Sequence, residues 1–141
     1  GGLCFVYRLT VDDYHRYCFA ESGKVTLNRR IDGVLHTVSS LSQKYSVYTE
    51  NCREYCVIET EDIGNVIQME VGAMLVGKIL NSDAQYAVKG EEKGFFSYGG
   101  STIIILYGRD KVCPDKDILK NSADGIETRV RYGEKVGMKT C

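Results

Sequence analysis

The sequence predicts a mainly β fold: a single compact domain of short strands, flattened-barrel or sandwich-like, with one or two short helices. Three observations lead there. Short runs rich in Val, Ile, Tyr and Phe recur along the chain, separated by turn residues. Fifteen glycines stand against one proline, a balance that suits paired strands joined by tight turns. Helix signals are sparse.

Leu3 to Leu9 forms the first apolar run, and Lys24 to Leu27 leads past Arg29 and Arg30 into Ile31-Asp32-Gly33. Val34 to Val38, Tyr45 to Tyr48, Glu54 to Thr60 and Asn65 to Val71 follow as strands. Ala73 to Leu80, Ser101 to Tyr107 and Thr128 to Tyr132 complete the set. Thr10 and Asp13 have capping-box spacing and would cap one short turn carrying Tyr14 and His15. Pro114 would open a short helix through Lys120, with Asp115 and Asp117 in its first turn.

The chain of 141 residues fits one domain, and its 43% apolar and 26% charged residues are ordinary for a globular protein. A net charge of -1 without a basic run gives no reason to expect a nucleic-acid partner. The start Gly1-Gly2-Leu3-Cys4 lacks an initiator Met and a signal-peptide layout, as expected of a cut inside a longer protein. The longest uncharged stretch, Gly94 to Gly108, is too short and too glycine-rich to span a bilayer. Any membrane contact is therefore expected to be peripheral or to use another segment. Among six cysteines, Cys52 and Cys56 stand near each other without a second pair or a nearby His. That is no zinc pattern, so no metal is expected, and reduced thiols are the preferred reading.

Two stretches carry candidate chemistry. In Tyr98-Gly99-Gly100-Ser101-Thr102, followed by Ile103-Ile104-Ile105-Leu106-Tyr107, the bland reading is a tight turn entering a core strand. The functional reading uses the same geometry. A serine hydroxyl held against the preceding glycine carbonyl can attack it, because glycine has no side chain to obstruct the approach. The resulting ester can eliminate to dehydroalanine, which hydrolyses to a pyruvoyl group. The second stretch is Asp12-Asp13-Tyr14-His15-Arg16. A lone histidine beside a carboxylate is most often structural, yet it can also serve as a base that the Asp orients. Arg16 can pair with a phosphate or carboxylate, with a structural salt bridge as the default.

These stretches fall into a familiar order. Arg8-Leu9, Asp13-Tyr14-His15-Arg16, Ile31-Asp32-Gly33-Val34-Leu35-His36-Thr37-Val38, Tyr48-Thr49-Glu50-Asn51-x-Arg53 and Glu70-Val71-Gly72-Ala73-x-x-Val76-Gly77 come first. Lys89-Gly90-Glu91-Glu92-Lys93-Gly94-Phe95-Phe96 then leads into Gly99-Gly100-Ser101-Thr102. Asp117-Ile118-Leu119-x-Asn121-Ser122-x-x-Gly125-Ile126-Glu127-Thr128 completes the series. Over nearly its whole length the chain resembles the C-terminal catalytic part of the pyruvoyl-dependent phosphatidylserine decarboxylases.

The resemblance implies self-cleavage between Gly100 and Ser101, giving an upstream chain that includes residues 1–100 and a downstream chain over 101–141. It implies that Ser101 becomes a covalent pyruvoyl cofactor, which forms a Schiff base with the amine of phosphatidylserine and accepts the electrons released with carbon dioxide. Phosphatidylethanolamine is the implied product. His15 is the implied proton-transfer residue, with Gly99, Thr102, Asp13, Tyr14 and Arg16 in support. The implied partners are the lipid, a peripheral membrane surface on the cytoplasmic side of a bacterial cell, the chain's own upstream segment and, as a further option, a second copy.

The sequence departs from the family in two places. Many members carry a second histidine three residues after the Asp-Tyr-His histidine, where this chain has Cys18. The family's charge-relay Asp and its membrane-associating helices come from sequence upstream of this segment. His36 is read as a packing or hydrogen-bonding residue. The rival readings are a pyruvoyl decarboxylase of a small amino acid and a non-catalytic carrier-like β module.

Overall fold

The computed structural model describes residues 1–34, 36, 49–73, 78–97 and 101–140. The expected strand Tyr45 to Tyr48, most of Val34 to Val38 and the Gly99-Gly100 pair lie outside these residues.

Two antiparallel sheets share one core. The larger has six strands in the order β1 (Gly2–Leu9), β9 (Ser101–Gly108), β5 (Asn65–Val71), β4 (Arg53–Glu59), β3 (Gly23–Ile31) and β7 (Tyr86–Ala87). The smaller has three strands, β2 (Arg16–Cys18), β8 (Glu92–Ser97) and β6 (Lys78–Asn81). A two-stranded ladder of β10 (Val112–Pro114) and β11 (Gly137–Lys139) lies apart from both. The larger sheet stays open between β1 and β7, so the arrangement is sandwich-like and is no closed barrel.

The register explains the core. Residues directly opposite one another in an antiparallel ladder share a face. Phe5 faces Ile105, which faces Gln68, and Tyr7 faces Ile103, which faces Glu70. Val66 faces Ile58, and Glu70 faces Glu54. Phe5, Ile58, Val66, Ile103 and Ile105 therefore turn inward together, where they pack with Tyr17, Phe19, Ile79 and Phe96 of the smaller-sheet side. Ile58 and Val66 are completely buried, worth about 1.5–3 kcal/mol each. Gln68 ties the sheets across this interior: its Nε2 donates to the Cys18 carbonyl at 3.0 Å and its Oε1 accepts from Ala20 N–H at 2.9 Å.

The expected runs at Leu3, Glu54, Asn65 and Ser101 form β1, β4, β5 and β9 within a residue or two. Helix content differs from the expectation in detail. One helix is present among the described residues, α1 (Lys116–Ala123), and Pro114 belongs to β10 just before it. Gly125, at φ 71°, follows the helix and supplies the left-handed residue such a terminus favours. Thr10 to Asp13 closes a turn rather than a helix: Asp13 N–H donates to the Thr10 carbonyl at 3.1 Å. Thr128 to Tyr132, expected as a strand, pairs with no described strand. No described helix is long and apolar enough to cross a membrane.

Candidate active site

Ser101 opens β9, which lies between β1 and β5 in the larger sheet. Leu9 of β1 lies opposite Ser101, Arg8 lies opposite Thr102, and Val71 of β5 faces Thr102 from the other side. Both hydroxyl residues are completely buried, and among the described residues neither Ser101 Oγ nor Thr102 Oγ1 has a hydrogen-bond partner. A buried hydroxyl left unpaired costs on the order of 1–3 kcal/mol, so the two, on opposite faces of β9, call for a functional account.

The connection from β1 to β2 runs from Thr10 to His15. Asp13 shapes it: one carboxylate oxygen accepts from Thr10 N–H at 2.7 Å and from Thr10 Oγ1 at 2.9 Å. The Thr10 N–H bond holds the Asp13 carboxyl below its ordinary pKa, with lesser help from Arg129 and His15. The Asp13 carbonyl then receives His15 Nδ1 at 2.7 Å. A carbonyl oxygen only accepts, so this bond assigns the proton to Nδ1 and leaves a bare lone pair on Nε2 in the neutral ring. Nε2 is buried and has no partner among the described residues. The imidazole packs edge-on against Phe96 at 6.4 Å, while the His15 carbonyl accepts the Phe96 N–H at 3.0 Å. Phe96 belongs to β8, and only residues 98–100 separate that strand from Ser101. The Thr10–His15 connection leaves β1 after Leu9, which lies opposite Ser101, and the His15 backbone is bonded to β8.

The supporting residues take separate positions. Arg16 bonds Glu92 at 2.6 Å and lies 4.8 Å over the Phe95 ring. Tyr14 is exposed and meets Tyr132 edge to face at 5.5 Å. Cys18 is half-buried, and the Tyr132 hydroxyl pKa is pushed up to about 12 by desolvation first and by its neighbours Cys18, Tyr14 and Glu92. Arg8 pairs with Glu127, its Nε donating at 2.7 Å, which ties the segment after α1 to the Ser101 end of β1. Beside this segment a cleft of about 780 Å³ is lined by Asp13, Arg129, Val130, Arg131, Tyr132 and Glu134. His36 stands elsewhere: Nε2 bonds Glu50 at 2.9 Å, and its backbone is held by Asn51.

Sequence reasoning missed a buried polar cluster between the sheets. Lys93 Nζ donates to Glu70 Oε2 at 2.6 Å and to Asn81 Oδ1 at 3.0 Å. Asn81 Nδ2 donates to Glu70 at 3.1 Å and to Glu54 at 2.9 Å, and Tyr17 OH donates to Asn81 Oδ1 at 3.1 Å. Complete burial pushes the Glu70 carboxyl up, against the opposing pull of Lys93 and Asn81. The one available signal was Glu70 sharing the buried face of β5 with Val66 and Gln68.

The class defined by fold and site is an antiparallel two-sheet β domain with a buried polar centre at the start of a core strand. The sequence profile of the phosphatidylserine decarboxylase family matches residues 1–138. The chain is 53% identical to "Phosphatidylserine decarboxylase proenzyme 2" of Clostridium acetobutylicum, covering 97% of this chain and 47% of that protein. It is 40% identical to a phosphatidylserine decarboxylase proenzyme of Clostridium tetani, covering 100% and 49%, and 38% identical to one of Fusobacterium nucleatum, covering 96% and 47%. The chain belongs to the phosphatidylserine decarboxylase family. It spans about half the length of the curated relatives it matches. No solved structure matches it.

Proposed function

We propose that the protein containing this chain decarboxylates phosphatidylserine to phosphatidylethanolamine with a pyruvoyl group made from Ser101 by self-cleavage after Gly100. The observation that carries this reading is the Ser101 hydroxyl: buried, unpartnered and placed at the first residue of a rigid core strand. A hydroxyl in that state is desolvated and has no competing bond to break before it attacks. The printed names of the relatives, proenzymes of this activity, support the same reading.

In the uncut chain, Ser101 Oγ attacks the Gly100 carbonyl carbon, an oxygen–carbon bond forms and the amide carbon–nitrogen bond breaks. His15 Nε2, held bare by the Nδ1 bond to Asp13, is the base suited to move the hydroxyl proton toward the departing amine. Elimination of the ester leaves the serine oxygen on the Gly100 carboxylate, and hydrolysis of the dehydroalanine releases ammonia. A pyruvoyl group at this position supplies an electron sink for the decarboxylation of a bound amino acid headgroup. A pyruvoyl group at residue 101 would sit in a buried setting, and His15 is the residue suited to return a proton to the product carbon.

The cleft beside the Thr10–His15 connection fits the lipid headgroup. Arg129 and Arg131 offer guanidinium groups to its phosphodiester, and the exposed Tyr14 and Tyr132 suit the boundary of a peripheral membrane contact. The test is carbon dioxide release by the full-length protein from phosphatidylserine vesicles and from free serine. Release from the vesicles alone is expected. Release from serine with none from vesicles overturns the lipid assignment.

A further inference from the structure

Strand β9 is apolar on both faces. Ile103 and Ile105 turn into the core between the sheets, and Ile104 and Leu106 turn away from it. The ladder register carries that outer side across five strands. Val6 of β1 lies opposite Ile104, Ile104 opposite Met69 of β5, and Met69 opposite Tyr55 of β4. One step along, Cys4 lies opposite Leu106, Leu106 opposite Ile67, Ile67 opposite Val57, and Val57 opposite Leu27 of β3. A bulge between Val25 and Leu27 turns that leucine to this side.

An antiparallel sheet with one wet face alternates apolar and polar residues along each strand. Here two adjacent cross-strand rows break the alternation together, and the band they form has a polar border. Arg29 lies opposite Tyr55 at one end, and Asn65 lies opposite Glu59 beyond Ile67 and Val57. Nothing in the core covers the band: among the described residues, none of the nine belongs to the core cluster or packs against it. Ile104, Leu106, Ile67, Met69, Tyr55 and Val57 are half-buried, and Cys4, Val6 and Leu27 are exposed. A contiguous apolar surface with a polar rim marks a contact surface.

The size of the band selects its occupant. Spacings of about 4.8 Å between strands and about 3.4 Å per residue make it about 24 Å by 14 Å, or roughly 300 Å². A stable interface between separate proteins needs about 800 Å² from each partner, so the band alone is too small to hold a second copy. A segment of the same chain needs less, because its tether has already removed most of the freedom that docking takes away. The curated relatives are about twice as long as this chain. Any residues upstream of Gly1 enter through β1, the strand at one end of the band. We infer that the outer face of the larger sheet is the docking surface for the protein's own upstream segment, which covers the band from Val6 to Leu27 with an apolar face of its own. The band lies on the side of β9 opposite Ser101, so the inference stands apart from the chemistry proposed for that residue.

The test is photocrosslinking of the full-length protein grown with photo-methionine, which keeps the side-chain volume at Met69. Irradiation at low protein concentration is expected to join residue 69 to a peptide upstream of Gly1. Mixing isotopically light and heavy protein shows whether the two joined peptides come from one molecule, and they are expected to. The full-length Ser101→Ala protein should give the same crosslink. Joining of residue 69 to a second copy overturns the proposal. So does capture of acyl chains from added phosphatidylserine vesicles in place of the upstream peptide, and so does capture confined to residues 1–141 or to solvent.

Discussion

Leu9 lies directly opposite Ser101, so the connection that carries His15 leaves β1 at the level where β9 begins. The pairing sets the end of β1, from near the start of the chain, beside the start of β9, from its last third. Ser101 Oγ and His15 Nε2 are both buried, and neither has a hydrogen-bond partner among the described residues.

His15→Ala in the full-length protein is expected to slow self-cleavage, decarboxylation or both by at least ~100-fold, the usual share of a general base. Added imidazole should restore part of the lost rate. Parental rates for both steps would take His15 out of the chemistry.

Asp13 gives a pH signature with a definite sign. Its folded pKa is lowered by the Thr10 N–H bond, so its contribution to stability is full above the unfolded carboxylate value of about 4. That contribution fades as pH falls through the lower folded value, because the unfolded chain binds the proton first. Urea midpoints measured across the acid range should therefore fall less steeply for Asp13→Asn than for the parent. Parallel acid limbs would show that the turn bonds add nothing.

Asn51 is completely buried, and its side chain satisfies three backbone groups. Nδ2 donates to the Gly72 carbonyl at 2.7 Å and to the His36 carbonyl at 2.9 Å, and Oδ1 accepts from His36 N–H at 3.0 Å. Asn51→Ala leaves those groups to find water or go unpaired, at a cost of about 2–4 kcal/mol. The shift in denaturant midpoint at constant slope reads that cost, and a shift near zero would mean that water replaces all three bonds.

Arg129→Ala with Arg131→Ala tests the headgroup cleft. A loss of phosphodiester contacts made equally before and during reaction raises KM about tenfold or more with kcat little changed. Self-cleavage, which involves no lipid, should proceed at the parental rate. An unchanged KM for phosphatidylserine vesicles would place the headgroup elsewhere.

Much of the fold was legible because β-branched runs such as Asn65 to Val71 and Ser101 to Tyr107 can only be buried strands. Helix ends were less so, because Pro114 suits both the first turn of a helix and the end of an edge strand, and pairing with β11 decided it. Thr128 to Tyr132 has strand composition, but the Arg8–Glu127 pair and the Tyr14–Tyr132 contact hold that segment by side chains rather than by a ladder. For the site, the residue types at Ser101 and His15 were readable, whereas their relation depended on the β1–β9 register. Glu70 left a faint signal, but its pairing with Lys93 was not readable. A single bulge inverts the face of Lys93, and strict alternation along β8 would have left that lysine in water.

The central claim is that Ser101 cuts the chain before itself and becomes the reactive group. The most direct measurement is the intact mass of the full-length protein after expression, with the same protein carrying Ser101→Ala beside it. Two chains are expected from the parent, the downstream one beginning at residue 101 and lighter by one ammonia than a serine start would make it. The Ser101→Ala protein should remain one chain. A parent recovered as one uncut chain with an ordinary serine at position 101 would contradict the account.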